Sequence, residues 1–208
     1  MIYDVSMPIS ESMQVYKEKD GKSPVFETVA DHPNDGAHET NITMNMHTGT
    51  HIDYPLHMIE NGDTSDKENL ATLIGTARVM DFTDKNGPIT KNDLAECDIY
   101  ADDFIILKTK NSFSENFLFD FAYLETSGAT YLKEKKVRGV ATDGLGIERD
   151  QPNHDTHKTL LENDILIIEG LRLKNVPAGN YHMVCLPLAI PGVEATPARM
   201  VLSDGPIG

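Results

Sequence analysis

Apolar residues along this 208-residue chain recur in short runs and alternations rather than long helical stripes. Phe104-Ile105-Ile106-Leu107 and Ile165-Leu166-Ile167-Ile168 are continuous and of strand length, the pattern of strands buried on both faces. Residues 2–9 begin with a β-rich alternation and predict an opening strand that ends near Pro8. Segments 25–30, 75–82, 137–141, 181–190 and 198–202 read as further strands, with Pro187, Pro191 and Pro197 at turns or edges. Between Asn41 and His47, Ile42, Met44 and Met46 alternate with polar residues, which predicts a half-buried strand with its even positions facing the core.

Helical signals are fewer. Thr90-Lys91-Asn92-Asp93 resembles a capping box with Asp in place of Glu and predicts a helix from Lys91 towards Cys97. Residues 124–136 predict a longer helix despite Gly128, and 67–73 a short one. A helix feeding the 137–141 strand is the αβ half of a crossover unit. Residues 146–159, with His154 and His157, read as a polar loop, and the charge run 17–22 reads as a solvated one. The count is strand-rich with two or three helices, an α/β or α+β chain forming one domain over residues 1–208.

Composition narrows the function classes. At 39% hydrophobic and 25% charged, the chain is too apolar for disorder. A net charge of −15 argues against nucleic acid, which is bound through clustered Lys and Arg, and against an anionic membrane surface. It leaves an anionic substrate open, because a bound cation would dominate the field in its own pocket. The sequence shows neither a long apolar span nor a signal-peptide start, so the expected location is cytoplasmic. Cys97 and Cys185 are isolated and read as packing residues.

The candidate chemistry is concentrated in Met46-His47-Thr48-Gly49-Thr50-His51-Ile52-Asp53-Tyr54-Pro55-Leu56-His57. Imidazole nitrogen and carboxylate oxygen are the usual ligands of zinc and similar ions in catalytic sites. Whether the chain past Gly49 is extended or helical, His47, His51 and Asp53 can converge. Glu169 ends an apolar strand, where a carboxylate is costly to bury unless paired or metal-bound. His157 and His154 both precede it, and spacing alone does not choose between them. Asp143, at another strand end, fits a capping or turn role better than ligation.

His47-x-Gly49-Thr50-His51-x-Asp53-x-Pro55-x-His57 resembles the signature of the cyclase-like metal-dependent hydrolases, which include bacterial kynurenine formamidase and isatin hydrolase. Tyr3-Asp4-Val5-Ser6, Gly139-Val140-Ala141-Thr142-Asp143, His157-Lys158-Thr159-Leu160-Leu161, Ile168-Glu169-Gly170-Leu171, Leu186-Pro187-Leu188 and Pro197-Ala198-Arg199 resemble further blocks of that family. The resemblance implies a swivelling β/β/α fold with a mixed sheet and a homodimer or homotetramer. It implies metal ligation by His47, His51, Asp53, His157 and Glu169, favouring His157 over His154, and proton transfer by His57. The metal would be Zn or Mn, one or two ions per subunit, with Asp53 or Glu169 as a bridge.

The implied reaction is hydrolysis of an amide in a small-molecule substrate, foremost an arylformamide such as N-formylkynurenine, by metal-bound hydroxide. A cyclic amide or lactone of the isatin type is the alternative, and a non-catalytic metal-binding module is a third reading. His57 counts against the module, since a pure binding site has no need of a proton shuttle. Two departures from the family bear on substrate choice. Val15-Tyr16 is followed by Lys17-Glu18 where the family often has a Pro-Gly turn, and the chain has no tryptophan.

Overall fold

The two continuous apolar runs lie one strand apart in a parallel array, with a core packed on each face of the sheet. A computed structural model describes residues 1–205. In chain order the strands are β1 (Ile2–Asp4), β2 (Val25–Ala30), β3 (Glu39–Thr43), β4 (His51–Asp53), β5 (Ile74–Asp81), β6 (Pro88–Ile89), β7 (Phe104–Lys108), β8 (Tyr123–Leu124), β9 (Gly139–Thr142), β10 (Leu166–Glu169), β11 (Gly179–Pro187) and β12 (Ala195–Ser203). The helices are α1 (Lys91–Ala95), α2 (Thr126–Lys135) and α3 (Asp155–Leu161).

β5, β7, β9 and β10 run parallel; β11 and β12 continue the sheet antiparallel from β5. The three-residue β4 pairs antiparallel with both β10 and the first half of β12, so seven strands close into a ring. β1 occupies the same edge of β12 further along, at Val201 to Ser203. The mixed α/β architecture agrees with the sequence reading, and the closure through β4 is what the strand pattern could not announce.

Alternation along the strands separates two cores. Val79, Phe104, Ile106, Ala141, Ile168, Ile52, Met183 and Met200 pack inside the ring. Met80, Ile105, Leu107, Val140 and Ile167 face outward against Leu94, Ala129, Leu132 and Leu160 of the helices. Each such side chain contributes about 1.5–3 kcal/mol on full burial. Phe104 lies opposite Gly139, where a Cβ would come within 2.7 and 2.9 Å of its ring carbons, so this position has no room for a side chain. Cys185 is buried in the inner core, its thiol pushed up to about 12 by burial, and Cys97 is half-buried and unpaired.

The capping box forms as read: Thr90 N donates to the Asp93 carboxylate at 2.7 Å, and the helix runs from Lys91 to Ala95. Two expectations are corrected. The strand over 41–47 ends at Thr43, and β3 pairs only with β2 in a hairpin whose residues are nearly all exposed; Ile42 is 45% exposed. Period-2 alternation marks a pleated strand but needs a covering layer to make one face a core, and none packs there. Residues 146–159 are not wholly loop, since α3 buries Thr156, His157, Leu160 and Leu161. At seven residues it is too short for its polar face to show a helical period.

Candidate metal centre

The register of the short strand builds the site. His51 lies opposite Glu169 and Asp53 opposite Ile167, so alternation puts His51, Asp53 and Glu169 on the outer face of the ring while Ile52 points inward. Asp53 is fully buried and His51 and Glu169 nearly so. His51 Nε2 stands 3.3 Å from Asp53 Oδ1 and 3.5 Å from Glu169 Oε2. His47 arrives on a turn rather than a strand end: Thr48 N donates to Asn45 O, and Gly49 takes φ +65°, a conformation that favours glycine. Its Nδ1 lies 3.1 Å from Asp53 Oδ1. His157, from the first turns of α3, places Nε2 at 3.4 Å from Glu169 Oε1 and 3.7 Å from Asp53 Oδ2.

His57 closes a 3-10 turn that begins at Pro55. Its ring centroid is 4.2 Å from that of His47 and 5.5 Å from that of His157, without a carboxylate at ion-pair distance among the described residues. His47, His57, His157 and Glu169 share the wall of a cavity of about 580 Å³, within the usual range for a small-molecule site.

The five residues singled out as ligands therefore converge, with His57 beside them. His154 does not join them. Its Nδ1 hydrogen-bonds Glu148 Oε1 at 2.6 Å. Asp143 has a supporting role: it accepts from the backbone N–H and hydroxyl of both Thr109 and Ser112, anchoring the turn after β7. Burial pushes its carboxyl up to about 6 against these four donors. Arg199 is exposed and pairs with Asp4.

Two acids escaped the sequence reading. Glu148 is buried, with Oε1 2.9 Å from His157 Nδ1 and Oε2 accepting from the backbone N–H of Thr156 and His157. It thus caps the first turn of α3 from outside the helix and stands at ion-pair distance from the imidazole. Glu194 Oε1 is 3.4 Å from His47 Nε2. Nothing in their spacing marks either one, because both reach the site through tertiary contacts.

Electrostatics reflect this crowding. Burial opposes charge on every member, yet the Asp53 and Glu169 carboxylates raise His51 to about 10 and His157 well above its ordinary value. In return, despite burial, His51 and the neighbouring imidazoles hold Asp53 far below the ordinary range and Glu169 at about 2. His57, pushed down mainly by burial, favours the neutral imidazole.

A divalent cation fits this donor set. His51 Nε2 and both carboxylate oxygens of Asp53 are buried without a hydrogen-bond partner, which is costly unless another group satisfies them. The His51 Nδ1–H donates to Gly49 O at 2.9 Å, so a neutral ring turns its Nε2 lone pair towards the carboxylates. Ligand-type atoms fall into three groups, His51/Asp53/Glu169, His47/Asp53/His57 and Glu148/His154/His157, of which the first two share Asp53.

Comparison with known proteins agrees with the geometry. The family profile described as putative cyclase matches residues 3–149. The chain is 32% identical to a kynurenine formamidase from Salinibacter ruber over 168 residues, 79% of each chain. It is 48% identical to the solved structure of a predicted metal-dependent hydrolase from Bacillus stearothermophilus, with a TM-score of 0.89 over 97% of both chains. Isatin hydrolase A from Labrenzia aggregata, at 21% identity, shares the fold, with a TM-score of 0.83 over 97% of this chain and 93% of its own. The chain therefore belongs to the cyclase-like family of metal-dependent hydrolases that holds kynurenine formamidase and isatin hydrolase.

Proposed function

We propose that this chain hydrolyses an arylformamide, N-formylkynurenine being the leading candidate, with Zn or Mn held by His47, His51, Asp53, His157 and Glu169. The observation that carries this reading is the set of unsatisfied buried ligand atoms on Asp53 and His51, next to a cavity whose wall holds Glu169 and a separate imidazole, His57. The 32% identity to a kynurenine formamidase favours a formamide over the cyclic substrate of isatin hydrolase, whose likeness is one of fold. Asp53 belongs to two of the candidate ligand groups and would hold the metal whether one ion or two were bound.

When bound, the metal supplies a Lewis acid for the amide carbonyl and lowers the pKa of water. The remaining work falls to the chain. His51 and His157 are held by Gly49 O and Glu148, so their ligand nitrogens need little reorganisation. Neutral His57 accepts a proton from the attacking water at a ring nitrogen and delivers it to the departing amide nitrogen. Water and formamide thus become formate and arylamine.

The test is turnover of N-formylkynurenine and simpler arylformamides by metal-replete wild type and His57→Ala. The expected loss is at least about a hundredfold in kcat, with metal content retained. Wild-type rates in the variant would remove His57 from the mechanism. No hydrolysis by the wild type across amides, lactones and esters would favour a non-catalytic metal site.

A further inference from the structure

The cavity that exposes the metal-centre histidines is also lined by Tyr16, Lys17 and Lys22, from the segment whose charge run reads in sequence as a solvated loop. That reading holds for Lys17 and Lys19, which are exposed, but Lys22 is half-buried and also borders a narrower recess beside His47. Both lysines gather on the Tyr16 ring, with Nζ 5.2 Å (Lys17) and 6.0 Å (Lys22) from its centroid. The ring itself is held in place: Phe117 and Phe121 meet it edge-on at 5.4 and 6.4 Å, and a Cβ on Gly146 would lie 3.2 Å from its Cε2.

These cations lack counter-charges. Lys85, Lys91, Lys108 and Lys110 pair with carboxylates; Lys17 and Lys22, like the other seven lysines, pair with none among the described residues, and what distinguishes them is their place in the cavity wall. The acids in the cavity wall are already engaged: Glu148 by His154 and His157, Glu169 by His51 and His157, and the mostly exposed Asp150 by Arg149. An anionic ligand in the cavity can supply the opposite charge that the wall does not offer these lysines.

We propose that Lys22, with Lys17 beside it, binds a carboxylate that the substrate carries away from its scissile amide, while Tyr16 supports the aryl portion between. The substrate class is then an arylformamide that bears a carboxylate. The assignment rests on the amide-hydrolase reading and adds specificity residues to it.

A matched pair of substrates tests this: an N-formyl arylamine that is neutral, and the same amide with an alkyl carboxylate on the ring. Lys22→Met, which keeps the stem and removes the charge, should raise KM for the carboxylate substrate about tenfold, as expected for a lost charged contact. Its KM for the neutral substrate should stay within about twofold, and Lys22→Arg should restore the preference. Added salt should weaken binding of the carboxylate substrate only. Equal losses on both substrates, or a wild type without preference, would overturn the proposal. Calorimetric binding of the corresponding carboxylate-bearing and neutral arylamines to metal-loaded wild type and Lys22→Met separates this inference from the one beneath it. Unchanged affinity in the variant refutes Lys22 whether or not the amides are cleaved. An intact binding preference without turnover supports Lys22 and refutes only the amide reaction.

Discussion

Replacing Gly170 with alanine should damage stability and metal binding together. Gly170 follows Glu169 with φ +74°, and its Cβ would overlap Gly49 O outright while lying 2.8 Å from Gly49 C and 3.2 Å from Thr50 N. The left-handed backbone costs a non-glycine residue about 1–2 kcal/mol, and forcing apart well-packed atoms about 1–3 kcal/mol more. A total near 3 kcal/mol corresponds to a fall of about 6–12 °C in Tm for a chain of this size. The displaced carbonyl is also the acceptor that fixes the His51 ring, so metal affinity should fall by about tenfold or more. Differential scanning calorimetry of the metal-free protein, with metal competition by a chelator, measures both. Gly192→Ala is the control, since φ is +77° there but the nearest atom to a Cβ is 4.0 Å away; it isolates the backbone contribution. If Gly170→Ala melted no lower than Gly192→Ala and bound metal normally, the close approach of β10 to the His47–Thr50 turn would be wrong.

Glu148→Ala removes both the external cap of α3 and the partner of His157 Nδ1, and should lower stability by about 1 kcal/mol and metal affinity by about tenfold to a hundredfold, read by urea denaturation and metal titration. The metal-free cluster should make stability depend on pH in both directions. Glu169, held at about 2, contributes stability above its ordinary value of 4.5 that is lost as pH falls towards 2. His51, raised to about 10, contributes stability below its ordinary 6.5 that is lost as pH rises through 10. Urea midpoints of the metal-free protein should therefore show this contribution at its largest between pH 4.5 and 6.5; an Asp53→Ala, Glu169→Ala variant with the same profile would show that the cluster is not its source.

Much of the fold was legible where chemistry is local. The apolar runs at Phe104 and Ile165 could be stable only with both faces covered, and the Thr90–Asp93 box satisfies its own helix end within four residues. The His47–His57 signature places four functional groups within eleven positions, so its grouping hardly depends on the surrounding fold. The resemblance, rather than spacing, chose His157 over His154. In the structure Glu148 hydrogen-bonds His154 Nδ1, while His157 Nε2 faces the Asp53 and Glu169 carboxylates.

What only tertiary structure decided depends on pairing across long separations. The ring closes because three residues of β4 bridge β10 and β12, more than a hundred positions away, and that register sets His51 opposite Glu169. The alternation at Ile42 had nothing to pack against, so the same pattern that buries Phe104 leaves it exposed. Glu148 and Lys22 carry no periodic mark; their meaning comes from the imidazole one stands beside and the cavity the other lines. Sequence by itself determined the donor types and the strands that carry them, because both follow from local chemistry. The fold decided which donors face one another, because that depends on the register of strands distant in the chain.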